Sequence, residues 1–169
     1  MYSIPGFQKN IALIGMPGSG KSTSGVLLAK HLGLGFVDTD LLIQERAGRL
    51  LQDIVDQEGY LALRAIEEQV LLDLDVEGCV ISTGGSAVYS EPAMAHLRSN
   101  ALVVFLQVPL EEVIRRIGDY SARGIARRPD QSLEELFEER EALYLRHADL
   151  VVEGDHAIVV DEICQRCLT

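Results

Sequence analysis

Apolar residues along the chain fall into short runs, separated by stretches where they recur every three or four positions. IALIG (11–15) is an apolar run ending in glycine and reads as a buried strand. A glycine-rich turn follows, then KSTSGVLLAKHLG, with apolar residues at helical spacing and Gly33 as its stop. GFVDTD (35–40) reads as a short second strand closing on acids. Residues 41–75 are helical in pattern. Leu50, Ile54, Val55, Leu61, Leu63, Ile66, Val70 and Leu71 supply apolar faces, and Gly59 marks a break between helices. CVIST (79–83) is a third buried strand, followed by GGSAVYSEP and a helix over 91–98. ALVVFLQV (101–108) is the clearest strand of the chain. PLEEVIRRIG reads as a helix with Pro109 near its start, where a missing N–H costs little. GDYSARGIARRPDQS (118–132) is rich in glycine and arginine without a helical period, and reads as a mobile loop. LEELFEEREALYLRHA is a helix, DLVVE a fifth strand and 156–167 a closing helix.

Strands that alternate with helices predict an α/β fold, a parallel sheet with helices on both faces. Ligands bind such sheets at the carboxyl ends of the strands. No internal repeat or linker divides the chain, so residues 1–169 read as one domain.

Composition narrows the partners. Hydrophobic residues make up 47% of the chain, enough for a buried core, and the net charge is −11. That balance argues against nucleic acid as a partner, because such proteins carry basic patches. Any anion site must therefore be built locally, against the overall field. No apolar run is long enough to span a membrane. MYSIPGFQKN at the start lacks the apolar region of a signal peptide, so a cytoplasmic location is expected. Cys79, Cys164 and Cys167 fit a reducing compartment. The C-x-x-C of Cys164 and Cys167 has no second pair or histidine partner to suggest zinc, and reads as two cysteines one turn apart on a helix. A monomer is the expectation.

GMPGSGKST (15–23) satisfies G-x-x-x-x-G-K-[ST] with Gly15, Gly20, Lys21 and Ser22. Glycines here, Gly18 among them, let backbone N–H groups of the loop, from Gly15 through Ser19 and Gly20, turn inward around phosphates. The start of the next helix, through Thr23, adds its dipole. Lys21 reaches the outer phosphates, and the Ser22 hydroxyl is a ligand for Mg²⁺. No N-K-x-D for reading guanine is present, and the third strand ends in Ser-Thr-Gly-Gly rather than in a Walker B aspartate. The magnesium carboxylate then falls to Asp38, at the end of the second strand. A short chain with this arrangement suggests a kinase of a small molecule.

The acceptor of the phosphoryl group must be sought elsewhere. Asp38 and Asp40 point the same way if strand alternation holds, one serving magnesium and the other a substrate hydroxyl. Asp40 is equally placed to cap a helix that starts at Leu41. Arg64 and Arg140 lie on separate helices, each with acidic neighbours such as Glu67 and Glu68 for Arg64. They are either surface salt bridges or, if they face one pocket, a clamp for a substrate carboxylate. Gly84 and Gly85 permit close backbone approach to a ligand or form an ordinary tight turn.

Taken in order, GMPGSGKST, VDTD, Arg64 before Ile-Glu-Glu, STGGSAV, an arginine-bearing loop with Arg-Pro and R-x-x-L-Y resemble the shikimate kinase family over about residues 10 to 155. The resemblance implies a nucleoside-monophosphate-kinase-like fold, a five-stranded parallel sheet in the order 2-3-1-4-5, a lid over about 118–131 and acceptor-binding helices over about 41–75. It implies transfer of the ATP γ-phosphoryl group to the 3-hydroxyl of shikimate. By the same resemblance Asp40 contacts the acceptor hydroxyls as candidate base. Arg64 and Arg140 hold the carboxylate, and Gly84 and Gly85 approach the ring. Asp38 holds Mg²⁺ through water, with Ser22 bound directly. Arg128 reaches the transferring phosphate and Arg116 packs near the adenine.

The chain departs from the family pattern at three places. Ser86 replaces a third glycine, which narrows the pocket or offers a hydroxyl to a different substrate. Leu63 replaces a phenylalanine before the carboxylate-binding arginine. Asp130-Gln131-Ser132 follows Arg128-Pro129 where the family has two leucines; Asp130 weakens the local positive field or caps the next helix, with Ser132 as another candidate cap. These departures leave open a kinase of another small polyol or hydroxy acid, or a nucleotide-binding module without catalysis.

Overall fold

A computed structural model describes residues 9–118 and 123–168. Its strands are β1 (Asn10–Ile14), β2 (Gly35–Asp38), β3 (Cys79–Ser82), β4 (Ala101–Gln107) and β5 (Leu150–Glu153). They form one five-stranded sheet in the order β2-β3-β1-β4-β5. All four pairings are parallel, with Leu13 opposite Ser82 on one side and Val104 on the other. The helices are α1 (Lys21–Leu32), α2 (Thr39–Ala47), α3 (Leu51–Glu58), α4 (Tyr60–Leu72), α5 (Glu91–Asn100), α6 (Leu110–Ile117), α7 (Leu133–His147) and α8 (His156–Leu168).

A parallel strand covered on both faces is apolar where it is covered, and β1 is so from Ile11 to Ile14, while the buried Asn10 amide donates to the Val76 carbonyl and accepts from the Cys79 N–H. Its five residues are all buried. Ile11 and Leu13 point into a core with Leu28, Leu32 and Ile163 from α1 and α8. Ala12 and Ile14 point the other way, to Leu71, Met94 and Leu136 from α4, α5 and α7. Cys164 packs in the first of these cores and is free, as is Cys167 on the same helix. A third cluster, Ile43, Ile54, Leu63, Val70 and Ala126, lies under α2, α3 and α4. Among the described residues no helix is long and apolar enough to cross a membrane.

Several boundaries differ from the sequence expectation. The 41–75 stretch holds two breaks, because Gly48 ends α2 in the left-handed region at φ 64° before Gly59 separates α3 from α4. A 3₁₀ turn, Ala87–Tyr89, follows β3. The second strand stops at Asp38, and α2 begins at Thr39 rather than at Leu41. The cap of α2 is accordingly Asp38, whose side chain accepts the Asp40 N–H, and not Asp40. The loop expected over 118–131 falls partly on residues 119–122, outside the described residues. Of the remainder, Gly124, Ile125 and Ala126 are buried. Gly124 lies so close to Leu51 that a Cβ would stand 2.5 Å from that residue's Cβ, and its N–H donates to Gln52 Oε1 at 2.6 Å.

Ser132, not Asp130, caps α7, in a reciprocal capping box with Glu135. Ser132→Ala should therefore lower the unfolding free energy by about 1 kcal/mol in urea titrations. Asp130→Ala, at an exposed position, should change it by less than about 0.5 kcal/mol. Equal losses would contradict this assignment of the cap.

Candidate active site

The cleft opens at the carboxyl edge of the sheet and encloses about 500 Å³. Its floor is the glycine-rich turn between β1 and α1. Gly15, Gly18 and Gly20 all have positive φ, and Gly20 at 91° launches the helix. A side chain there would meet the His156 ring at 2.9 Å, so glycine is required by packing as well as by the backbone. Lys21 folds over the turn. Its ammonium donates to the carbonyls of Gly15 and Met16 at 2.8 Å each and lies 3.4 Å from Ser19 Oγ. Burial lowers its pKa to about 8, against the pull of Asp40. Thr23 lines the cleft one residue beyond Ser22.

At the mouth of the turn, Ser22 Oγ donates to Asp38 Oδ2 at 2.8 Å and lies 3.2 Å from Ser82 Oγ at the end of β3. A carboxylate and a hydroxyl converging beside the phosphate cradle are the hard oxygen donors that Mg²⁺ takes, so the residues fit the ion. Arg116 on α6 reaches over the same turn, its Nη1 3.3 Å from the Gly18 carbonyl while its Nε donates to Glu112 at 2.6 Å.

The other wall comes from α4, α7 and the loop after β3. Arg64 and Arg140 do converge: their Nη2 atoms donate to the same carbonyl, that of Ala126, at 3.4 and 2.8 Å. Arg140 is 1% exposed. The Tyr89 ring lies between them, its centroid 3.5 Å from the Arg64 guanidinium carbon and 5.5 Å from that of Arg140. Each arginine retains a buried Nε with no hydrogen-bond partner. Among the described residues neither has a carboxylate at ion-pair distance. The surface salt bridges that the sequence allowed are thus not formed. Two guanidinium groups held by one neutral carbonyl, with donors to spare, form a site for an anion.

Gly84 and Gly85 stand against these groups. A Cβ on Gly85 would lie 2.7 Å from Arg140 Nη1, and one on Gly84 would lie 2.9 Å from Asp40 Oδ1 and 2.8 Å from Glu67 Oε2. Burial, reinforced by Asp38, raises the Asp40 carboxyl above the ordinary carboxylate range, and Lys21 opposes that rise. A carboxylate of raised pKa is the better proton acceptor.

Some calls shift. Arg128 is 50% exposed in side chain and pairs with Glu139 at 3.2 Å, so the structure does not bring it to the cradle. The arginine of that loop that lines the cleft is Arg123. Sequence reasoning also missed Glu67, taking it for a surface partner of Arg64. It is 3% exposed and shares the inward stripe of α4 with Leu63, Val70 and Leu71. The signal was available, since positions 63, 67, 70 and 71 follow the period of a buried helix face. Ser86, 7% exposed, lines the cleft and donates its proton to Glu67 Oε2 at 2.8 Å. Tyr89 and His156 were likewise not anticipated; His156 Nδ1 lies 2.7 Å from Ser24 Oγ behind the phosphate turn.

A glycine-rich phosphate cradle, an adjoining hydroxyl–carboxylate pair and an arginine clamp across one cleft define a P-loop kinase of a small molecule. The family profile described as shikimate kinase matches residues 17–169. The chain is 38% identical to shikimate kinase of Sulfurihydrogenibium sp. (strain YO3AOP1) over 159 residues, 92% of this chain and 95% of that one. It resembles the structure of shikimate kinase from Acinetobacter baumannii in complex with shikimate, with a TM-score of 0.86 and 31% identity over 95% of this chain and 93% of that one. Shikimate kinase from Aquifex aeolicus gives a TM-score of 0.79 and 36% identity over 92% and 94% of the two chains. The chain belongs to the shikimate kinase family.

Burial raises the Glu67 pKa from 4.5 to about 7, against the Ser86 hydrogen bond that favours its charge. The folded chain therefore binds more protons than the unfolded chain between those values. Stability from this group is complete below pH 4.5 and lost as pH rises through about 7. Glu67→Gln should gain unfolding free energy relative to the unsubstituted chain as pH rises across that window. A constant difference from pH 4.5 to pH 8 in urea titrations would refute the raised pKa.

Proposed function

We propose that the chain transfers the γ-phosphoryl group of ATP to the 3-hydroxyl of shikimate, giving shikimate 3-phosphate. The observation that carries this reading is the convergence of Arg64 and Arg140 on Ala126, in the cleft that also holds Lys21 and Asp40. A hydroxy acid seated with its carboxylate on the two guanidinium groups presents its ring to Gly84 and Gly85 and a hydroxyl to Asp40. Asp40 is assigned as the group that orients that hydroxyl and accepts its proton. The turn Gly15–Thr23 cradles the ATP phosphates, with Lys21 leaving the carbonyls of Gly15 and Met16 for the outer phosphates. Ser22 and Asp38 are assigned to Mg²⁺, which neutralises charge on the phosphates when bound. Arg116, above Gly18, is assigned to the adenine side. Arg128 is assigned to the transferring phosphate, a role it takes only by exchanging Glu139 for that anion.

The engagement of the Ser86 proton by Glu67 weakens one of the three sequence grounds for another acceptor. A cleft of about 500 Å³ is also in the size range of small-molecule sites. The reaction balances simply. The acceptor oxygen bonds to the γ-phosphorus, the bond to the β-bridging oxygen breaks, ADP leaves and the hydroxyl proton passes to Asp40.

A coupled ADP-release assay with ATP, Mg²⁺ and shikimate should show shikimate-dependent turnover on the order of 1–100 per second. No signal above the no-acceptor blank, from protein that still binds ATP, would overturn the reading. Lys21→Ala should abolish transfer. Arg64→Ala should raise the KM for shikimate at least about tenfold more than the KM for ATP, as loss of a charge-assisted bond predicts. Equal effects on both constants would contradict the clamp.

A further inference from the structure

Residues 123–126 form the stretch of cleft wall between the phosphate cradle and the arginine pair, and all four line the cleft. At one end Arg123 Nη2 donates to the Arg116 carbonyl at 3.3 Å, and at the other the Ala126 carbonyl receives Arg64 and Arg140. Ile125 also lines a separate cavity of about 260 Å³, with Gln52 and Pro129. The wall is thus one segment thick, with open space on both sides. Between its ends it meets the first turn of α3 at Gly124. That residue is buried, has φ 61°, and lies so near α3 that a Cβ would stand 2.7 Å from the Gln52 nitrogen. Its N–H is shut off from water and needs an acceptor within the protein. The acceptor is Gln52 Oε1 at 2.6 Å. The same amide donates from Nε2 to Asp56 Oδ1 at 2.7 Å, one turn further along α3. A carboxylate only accepts and a backbone N–H only donates, so a single orientation of the Gln52 amide serves both.

We propose that Gln52 is a positioning residue for the transfer: its amide joins Asp56 to Gly124 and so holds residues 123–126 in place as the wall of the cleft. This inference rests on the acceptor reading above, because the held segment bounds the space given to the acceptor. Gln52 acts through the Gly124 N–H alone. Removing its amide leaves that N–H buried without a partner, a cost of the kind that the segment relieves by lifting toward water. An acceptor that binds must then bring the segment back before it is enclosed, and that ordering weakens its binding. The nucleotide side is spared, since the hydrogen bonds of the Gln52 side chain go to Gly124 and Asp56 and not to the cradle. A glutamate at position 52 keeps the bond from Gly124 but sets a second anion one turn from Asp56, which like charges at that spacing disfavour. Asparagine at position 56 beside that glutamate restores both bonds with the second one reversed, because its amide donates where the Asp56 carboxylate accepted.

The test uses the full chain with two readouts. The first is amide hydrogen exchange at Gly124, followed by NMR without ligand. The second is the shikimate KM, set beside the Kd of ATP with Mg²⁺ measured without acceptor. In Gln52→Leu, exchange at Gly124 should quicken at least about fivefold, the scale of one hydrogen bond. The shikimate KM should rise by about the same factor, with the ATP Kd changed less than about twofold. Gln52→Glu combined with Asp56→Asn should bring both readouts back to those of the unsubstituted chain. Unmoved exchange in Gln52→Leu overturns the proposal, and so does faster exchange with an unmoved shikimate KM. Equal changes in shikimate KM and ATP Kd, or a combined variant that behaves like Gln52→Leu, reduce Gln52 to a general support of the fold and also overturn it. If the unsubstituted chain turns over no shikimate, the acceptor reading fails, and the exchange result alone then decides whether Gln52 holds the segment.

Discussion

A guanidinium buried to 1% exposure has to be compensated or it destabilises the fold. Much of the acceptor half is arranged around Arg140 in that way. Its Nη2 donates to the Ala126 carbonyl at 2.8 Å, which brings the loop before α7 down onto the cleft. Its Nη1 lies where any side chain on residue 85 would be, so the turn after β3 must carry glycine there. Tyr144, one turn further along α7, donates to the Gly85 carbonyl at 2.6 Å and pins the same turn from below. None of these partners is an anion, and Arg140 Nε has no partner at all. In a chain with a net charge of −11, a buried cation left short of negative charge is a local reversal of the overall field. That reversal is the feature on which the proposed carboxylate site rests.

The two halves of the cleft differ in how far apart in sequence their parts lie, and this decided what the sequence could reveal. The cradle is one contiguous stretch, 15–23, between a buried strand and a helix. Its geometry follows from local rules for glycine, for parallel strands and for helix starts. The strands were legible for the same reason, since β1 and β4 are apolar wherever the sheet is covered on both sides. The clamp is not local. Arg64 and Arg140 are separated from Ala126 by 62 and 14 residues, and neither neighbourhood in sequence shows that all three meet. The acids around each arginine suggested surface pairing; Arg140 is instead buried, and the half-buried Arg64 stacks on Tyr89. Glu67 was misread by the same local reasoning, because a glutamate next to an arginine looks like its partner. In the fold the two diverge, Arg64 onto the Tyr89 ring and Glu67 onto Ser86.

The open choice between cap and substrate contact at Asp40 has a similar origin. Strand alternation carried through to Asp40 would set Asp38 and Asp40 side by side with equivalent surroundings. Because the chain turns into a helix at Thr39, the two acids part instead. Asp38 is held by the Asp40 N–H and the Ser22 hydroxyl, hydrogen bonds that suit an anion beside the cradle. Asp40 turns inward, faces Gly84, and has its carboxyl raised by burial and by Asp38 itself. Two identical side chains two residues apart thus acquire different surroundings, one hydrogen-bonded at the mouth of the cradle and one buried against Gly84. The helix start is what separates them. A strand two residues longer would have left the two acids in equivalent surroundings.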